Sequence, residues 1–140
     1  MPKSLLLLVA VASLASNVDA GDQAYGVEGC LLCGTKPAVG VKVALYDQDS
    51  LDPSDLMGDG ATGADGCFKI AGCESELSDI NPELYIWHDC DDRFPGSREV
   101  KIVLPSSYIT GGKTPETHFP LGTLNLETKF MEESRSLLTR

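Results

Sequence analysis

Short runs of alternating apolar and polar residues recur along the chain, and clusters of turn-forming residues separate them. Residues 41–46, 84–89 and 99–104 alternate with a period of two, which is the spacing of side chains on one face of a β-strand. Glycine and proline are frequent between the runs, and Asp65-Gly66 is a strong hairpin signal. Helical periodicity is scarce. The pattern therefore predicts an all-β fold, an antiparallel β-sandwich with at most a short helix.

Residues 1–20 have the layout of a secretory signal peptide. A positive charge precedes the almost wholly apolar run Leu5–Leu14, and the segment ends in small residues, which a signal peptidase requires, with cleavage after Ala20. The run is too short to span a bilayer comfortably, and no later stretch is apolar enough to do so. We therefore predict a secreted, extracellular protein. Residues 21–127 would form the sandwich, and residues 128–140 a tail that is a short helix or disordered.

Acidic residues dominate the charge of the chain. There are 11 lysines and arginines against 21 aspartates and glutamates, which gives a formal net charge of −10. No run of even three basic residues occurs anywhere. A charge of this sign repels the phosphates of nucleic acids and of anionic lipids. The composition therefore disfavours nucleic acid as a partner.

The segment Cys30-Leu31-Leu32-Cys33 has the C-x-x-C spacing of redox disulfides and of zinc sites. We predict a strand over residues 27–33, and residues three apart on a strand point to opposite faces. Cys30 and Cys33 then cannot form a local disulfide or share a metal ion without breaking the strand. A redox motif also needs the start of a helix, and zinc needs two more suitably spaced ligands; the sequence supplies neither. Structural disulfides are the better interpretation.

The predicted faces of the strands indicate how the cysteines pair. Cys33 and Cys90 both fall on core faces, so we predict a disulfide between facing sheets. Cys30 and Cys67 both fall on outward faces, and they could form a second disulfide if their strands are neighbours. Cys73 is then left over, although Cys67–Cys73 and Cys30–Cys73 remain open alternatives. Because five cysteines is an odd number, one thiol stays free or joins a second copy of the chain as a homodimer.

The tripeptide His88-Asp89-Cys90 contains the residue types of a nucleophile and its base. A disulfide at Cys90 would remove the nucleophile, and His88 falls on a predicted core face, where a buried structural histidine is more common. His118 is the only other histidine, and nothing in the sequence places it near His88. We therefore predict no catalytic residues and no cofactor.

Aspartates crowd residues 47–65, and carboxylate oxygens are the ligands that calcium prefers. The EF-hand pattern fails at Leu51-Asp52, where an acid or amide and then a glycine would be needed. We interpret these aspartates as solvated loop residues. A calcium site built on Asp47, Asp49 and Asp52 is the alternative.

Four stretches, in order along the chain, resemble the nematode transthyretin-like family. They are VEGCLLCGTKPAVGVKVALYDQD at 27–49, DLMGDGATGADGCFKIAG at 55–72, INPELYIWHDC at 80–90 and FPLGTLNLE at 119–127. The resemblance implies an extracellular β-sandwich of seven to eight strands, similar to transthyretin (prealbumin), with no known general enzymatic activity.

The resemblance also bears on the cysteines. The family's usual cysteines fall at Cys33 and Cys90, in agreement with the disulfide predicted between the sheets. A further pair that family members often carry has no counterpart here, because residues 91–100 and 132–140 contain no cysteine.

As function, we predict a secreted, extracellular, non-enzymatic binding protein whose partner is an extracellular protein, a cell-surface ligand or a small apolar ligand. A carrier of lipids or hormone-like molecules is one alternative. The other is a divergent hydrolase, because the transthyretin fold also occurs in an enzyme that hydrolyses hydroxyisourate. That enzyme relies on several histidines, an arginine and a C-terminal Tyr-Arg-Gly-Ser, whereas this chain has two histidines and ends Leu137-Leu138-Thr139-Arg140.

Overall fold

A computed structural model describes residues 21–48 and 55–137. The predicted signal peptide, Asp49 and Asp52 lie outside the described residues. Within them, the only helical element is a 3-10 helix at Ser106–Tyr108, and no helix is long and apolar enough to cross a membrane. The described residues contain ten strands: β1 (Asp22–Cys33), β2 (Lys36–Pro37), β3 (Lys42–Asp47), β4 (Asp55–Ala61), β5 (Cys67–Ser75), β6 (Pro82–His88), β7 (Ser97–Val103), β8 (Thr110–Gly111), β9 (Phe119–Asn125) and β10 (Glu133–Ser136).

The strands form two sheets of five. In the first sheet, β1 is central and pairs with β5 and β2 as well as with β8 and β9. The second sheet has the order β10-β7-β6-β3-β4. This architecture confirms the predicted all-β sandwich, with eight strands when the two-residue strands β2 and β8 are set aside. Among the described pairings, β1 with β9 is parallel; alternation cannot reveal this, because its period is two in either direction.

The core lies between the inward faces of the two sheets. The faces predicted from alternation on β3, β6 and β7 are confirmed. Burying one such leucine or isoleucine completely contributes roughly 1.5–3 kcal/mol. The buried apolar side chains include Tyr25, Val27 and Leu31 of β1, Val43 and Leu45 of β3, Phe68 and Ile70 of β5, Leu84 and Ile86 of β6, and Val100 of β7.

At one edge, the two sheets touch through their backbones. A Cβ atom added at Gly72 of β5 would collide with the carbonyl oxygen of Met57, and one added at Gly58 of β4 would collide with that of Ala71. Only glycine leaves room for two backbones at this separation. We call this contact the glycine seam. It brings the start of β4 close to the end of β5, although these strands belong to different sheets.

The prediction for the C-terminal tail as a short helix or disordered segment is wrong for its described part. Residues 133–136 form β10, which pairs antiparallel with β7. The reason is Glu133, whose carboxylate bonds to the buried guanidinium of Arg98. This long-range bond overrides the loose helical spacing of the apolar residues in the tail, and Met131 is in fact fully exposed.

The segment at residues 74–79 forms no helical turn. β5 continues to Ser75, and the side chain of Gln23 then holds the following segment. Its Nε2 donates to the carbonyl oxygen of Ser78 at 2.7 Å, and its Oε1 accepts from the N–H of Ile80 at 2.9 Å. These hydrogen bonds to backbone groups replace those that a helical turn would have made.

Candidate functional site

The two cysteines of the C-x-x-C segment bond to different partners on opposite faces of the first sheet. Cys30 is bonded to Cys67, its cross-strand neighbour on β5, with the two Cα atoms 3.9 Å apart. Cys33 is bonded to Cys90 across the sandwich, with the two Cα atoms 5.8 Å apart. Cys73 is an exposed free thiol. The structure thus contains the pairs predicted from the strand faces, and the C-x-x-C segment forms no local disulfide.

His88 is buried at the end of β6, beside this inter-sheet disulfide. The backbone N–H of Cys90 donates a hydrogen bond to Nδ1 of His88 at 3.0 Å. The ring proton of the neutral imidazole therefore sits on Nε2, which is buried without a hydrogen-bond partner. Burial lowers the pKa of His88, and the nearby Arg98 guanidinium lowers it further. The result is a neutral histidine next to a sulfur that is already bonded to Cys33.

A buried arginine organises the same end of the molecule, and the sequence reasoning missed it. Nη1 of Arg98 donates to the carbonyl oxygens of Cys90 (2.9 Å) and Leu126 (2.8 Å), and Nη2 donates to that of Thr128 at 3.0 Å. Its Nε lies 2.5 Å from Oε1 of Glu133, and this bond holds the pKa of the Glu133 carboxyl below its usual range. A signal was present: Arg98 precedes Val100 by two residues and so falls on the core face of the same strand.

A shallow groove of about 540 Å³ lies on the outer face of the first sheet. We call it the β1–β5 groove. Glu28 and Lys69 are cross-strand partners there, so the groove presents both a negative and a positive side chain. Both cysteines of the Cys30–Cys67 disulfide, an apolar group, are among the residues that line it. The residues that line it are Glu28, Gly29, Cys30, Cys67, Phe68, Lys69, Pro120, Gly122 and Thr123.

An irregularity in strand pairing shapes one wall of the groove. Glu28 is opposite Pro120 on β9, but the next residue, Gly29, is opposite Gly122, so one residue of β9 is extra. Gly122 has a φ of +83°, which favours glycine. Proline has no N–H to give to the ladder and suits a bulge. The bulge thus turns Pro120 and Thr123 into the groove wall.

The structure groups Asp47 with acidic residues other than the two aspartates named with it for a calcium site. Of the three aspartates named for it, only Asp47 lies within the described residues. One carboxylate oxygen of Asp47 lies within 4.8 Å of oxygens from Asp55, Glu74 and Glu76; we call these four residues the acidic cluster. Burial, helped by the carboxylates of Asp47 and Asp55, raises the pKa of Glu74 to about 7. The two glutamates escaped sequence analysis because they lie at the end of another strand, β5, and just after it, and only the folded sandwich brings that strand close.

Two sheets joined by a buried disulfide, with a mixed-charge groove on one outer face, define a disulfide-linked β-sandwich protein. The chain belongs to the Transthyretin-like family, because the family model TTR-52, which carries that description, matches residues 28–105. This confirms the family that the sequence resembles.

Relatives with the same family name cover nearly the whole chain. Transthyretin-like protein 46 of Caenorhabditis elegans is 45% identical over 99% of this chain and 78% of its own length. Transthyretin-like protein 33 is 42% identical over 98% and 94%, and Transthyretin-like protein 5 is 43% identical over 97% and 99%, both from the same organism. Among solved structures, a 9R-lipoxygenase from Cyanothece covers 74% of this chain and 16% of its own at 24% identity and a TM-score of 0.42, a likeness too weak to carry an argument.

Proposed function

We propose that this protein is a secreted, extracellular binding protein that acts without catalysis, and that its ligand docks in the β1–β5 groove. The observation that carries the proposal is the groove itself. Its lining combines the Cys30–Cys67 disulfide with one acidic and one basic side chain on the outer face of the first sheet. Such a surface can hold an amphipathic ligand by burial and orient it by charge.

Secretion is supported by two independent features. Residues 1–20 have the layout of a signal peptide. The chain also contains two disulfides, and disulfides persist in oxidising compartments outside the cytosol. An extracellular site of action would follow from both.

A non-catalytic role is supported by the state of the one nucleophile–base pair that the sequence offered. The sulfur of Cys90 is bonded to Cys33, and His88 has its Nδ1 occupied and its pKa lowered. The hydrolase alternative would need histidines that act together. His118 instead packs over Gly26 of β1, whereas His88 belongs to the second sheet.

The groove is shallow, which favours a large partner that makes a surface-to-surface contact, either an extracellular protein or a cell-surface ligand. A small apolar molecule, as in a carrier of lipids or hormone-like compounds, is the second candidate, because the volume of about 540 Å³ falls in the usual range of small-molecule sites, roughly 300–1,000 Å³.

The experiment is a binding assay of labelled, secreted protein on nematode cells. The Lys69→Glu variant reverses the charge inside the groove, and we expect it to lower the bound signal at least fivefold. The matched control is Lys113→Glu, which makes the same charge change at an exposed residue outside the groove. Equal binding by Lys69→Glu and wild type would reject the groove as the site. A co-purified small molecule in native mass spectrometry would favour the carrier, and turnover of hydroxyisourate that falls with His88→Ala would favour the hydrolase.

A further inference from the structure

The acidic cluster joins the two sheets at the edge closed by the glycine seam. Asp47 ends β3 and Asp55 begins β4, and the two are register partners in the second sheet. Glu74 lies near the end of β5 in the first sheet, and Glu76 follows it. One carboxylate oxygen from each of the four lies within 4.8 Å of the others. Four formal negative charges from two sheets therefore converge on one point.

Two buried oxygens of the cluster lack hydrogen-bond donors. Asp47 is completely buried; its Oδ1 accepts a hydrogen bond from the N–H of Asn81 at 2.8 Å, but its Oδ2 has no partner. Oε2 of Glu74 is likewise buried without a partner. Buried carboxylate oxygens are normally paired, because their loss of water is otherwise uncompensated. A positively charged neighbour would compensate these oxygens for the water they have lost.

We propose that Asp47, Asp55, Glu74 and Glu76 bind a divalent cation of the calcium class, which clamps the two sheets together. The ligand chemistry fits, since all four donors are hard carboxylate oxygens and calcium takes six to eight oxygens at about 2.3–2.6 Å. Two ligands on opposite sides of such an ion are about 4.8 Å apart, and the four oxygens lie within that distance of one another. Magnesium needs a smaller, octahedral shell and keeps most of its water.

A cation satisfies this cluster better than a proton does. One proton can neutralise a single carboxylate and bridge it to a neighbour, which leaves the remaining charges close together. A central divalent ion attracts all four carboxylates at once. The inference does not depend on the proposed binding function, because the cluster lies at the β3, β4 and β5 ends and shares no residue with the β1–β5 groove.

The test is calorimetric titration of chelator-treated full-length secreted protein with calcium chloride, and separately with magnesium chloride. We expect one calcium site per chain, with magnesium at least tenfold weaker. At a calcium concentration about 50 times the dissociation constant, the midpoint of thermal unfolding should rise by about 5 °C or more.

Three variants make the test specific. Asp47→Asn and Glu74→Gln should each weaken calcium binding at least tenfold and remove the calcium-dependent shift in unfolding temperature. Both remove a charge from a repulsive group, so we expect both to fold, and circular dichroism checks this. The matched control Asp59→Asn, at an exposed position on β4 outside the cluster, should bind as wild type does. The inference is overturned if folded wild-type protein gives neither heat nor a shift with 10 mM calcium, if Glu74→Gln binds normally, or if magnesium binds equally well.

Discussion

Removing the Cys33–Cys90 disulfide should be the most damaging change to the covalent framework. The two cysteines are 57 residues apart in sequence, and the chain-entropy relation for a closed loop of that size gives about 4 kcal/mol of lost stability. The Cys30–Cys67 disulfide spans 37 residues, for which the same relation also gives about 4 kcal/mol. Entropy alone therefore predicts nearly equal losses. The difference lies in burial, because Cys90 lies in the core and the partly buried Cys33 packs against it, and their truncation should cost roughly 1 kcal/mol more.

The assay is urea unfolding of the two double alanine variants, followed by the fluorescence of Trp87, the only tryptophan. Both variants and the reference carry Cys73→Ser, which prevents disulfide exchange through the free thiol. Linear extrapolation gives the free energy of unfolding in water. A loss below about 1 kcal/mol for Cys33→Ala with Cys90→Ala, or a loss smaller than that for the Cys30 and Cys67 pair, would refute the reasoning.

Three further predictions concern the packing of the sandwich. Arg98→Ala should lower the free energy of unfolding by about 3–5 kcal/mol, because it leaves a largely buried carboxylate and several carbonyls without a donor, whereas the exposed Arg93→Ala should be near neutral in the same urea assay. The pKa of Glu133 is lowered in the folded state, so its contribution to stability is present above its unfolded pKa and is lost as the pH falls through the folded value. Glu133→Gln should therefore reduce the change in the free energy of unfolding between pH 5 and pH 2, measured in the same urea assay. Gly72→Ala should cost about 1–3 kcal/mol because its Cβ meets the backbone of β4, and Gly111→Ala, which meets nothing within 4 Å, should be neutral; equal midpoints would contradict the seam.

The strands were predictable from sequence because their information is local. Val43, Leu84 and Val100 lie in the core, on the faces that a period of two predicts, and a strand with one buried face needs only that pattern. The same period of two predicted the face of the strand on which each cysteine lies. The family resemblance then agreed with the Cys33–Cys90 disulfide that the strand faces had already predicted.

The long-range features were not predictable in this way. Arg98 shares the parity of Val100, but nothing in the sequence near it names Cys90, Leu126 or Thr128 as its acceptors. β10 depends on that arginine, so the tail could not be assigned before the arginine was placed. The acidic cluster depends on the glycine seam, which is a contact between strands of different sheets. In each case the interaction that determines the local structure joins residues far apart in sequence, and local periodicity carries no information about such pairs.

The parallel pairing of β1 with β9 has a consequence for how the chain acquires its fold during synthesis. β1 is synthesised near the start of the described chain and β9 near its end, so Val27 cannot pair with Phe119 until β9 has been synthesised. Until β9 emerges from the ribosome, one edge of the central strand offers unpaired N–H and C=O groups to any neighbouring chain. Such a high contact order slows folding. During that interval the exposed edge favours association with neighbouring chains, and pairing with β9 removes it.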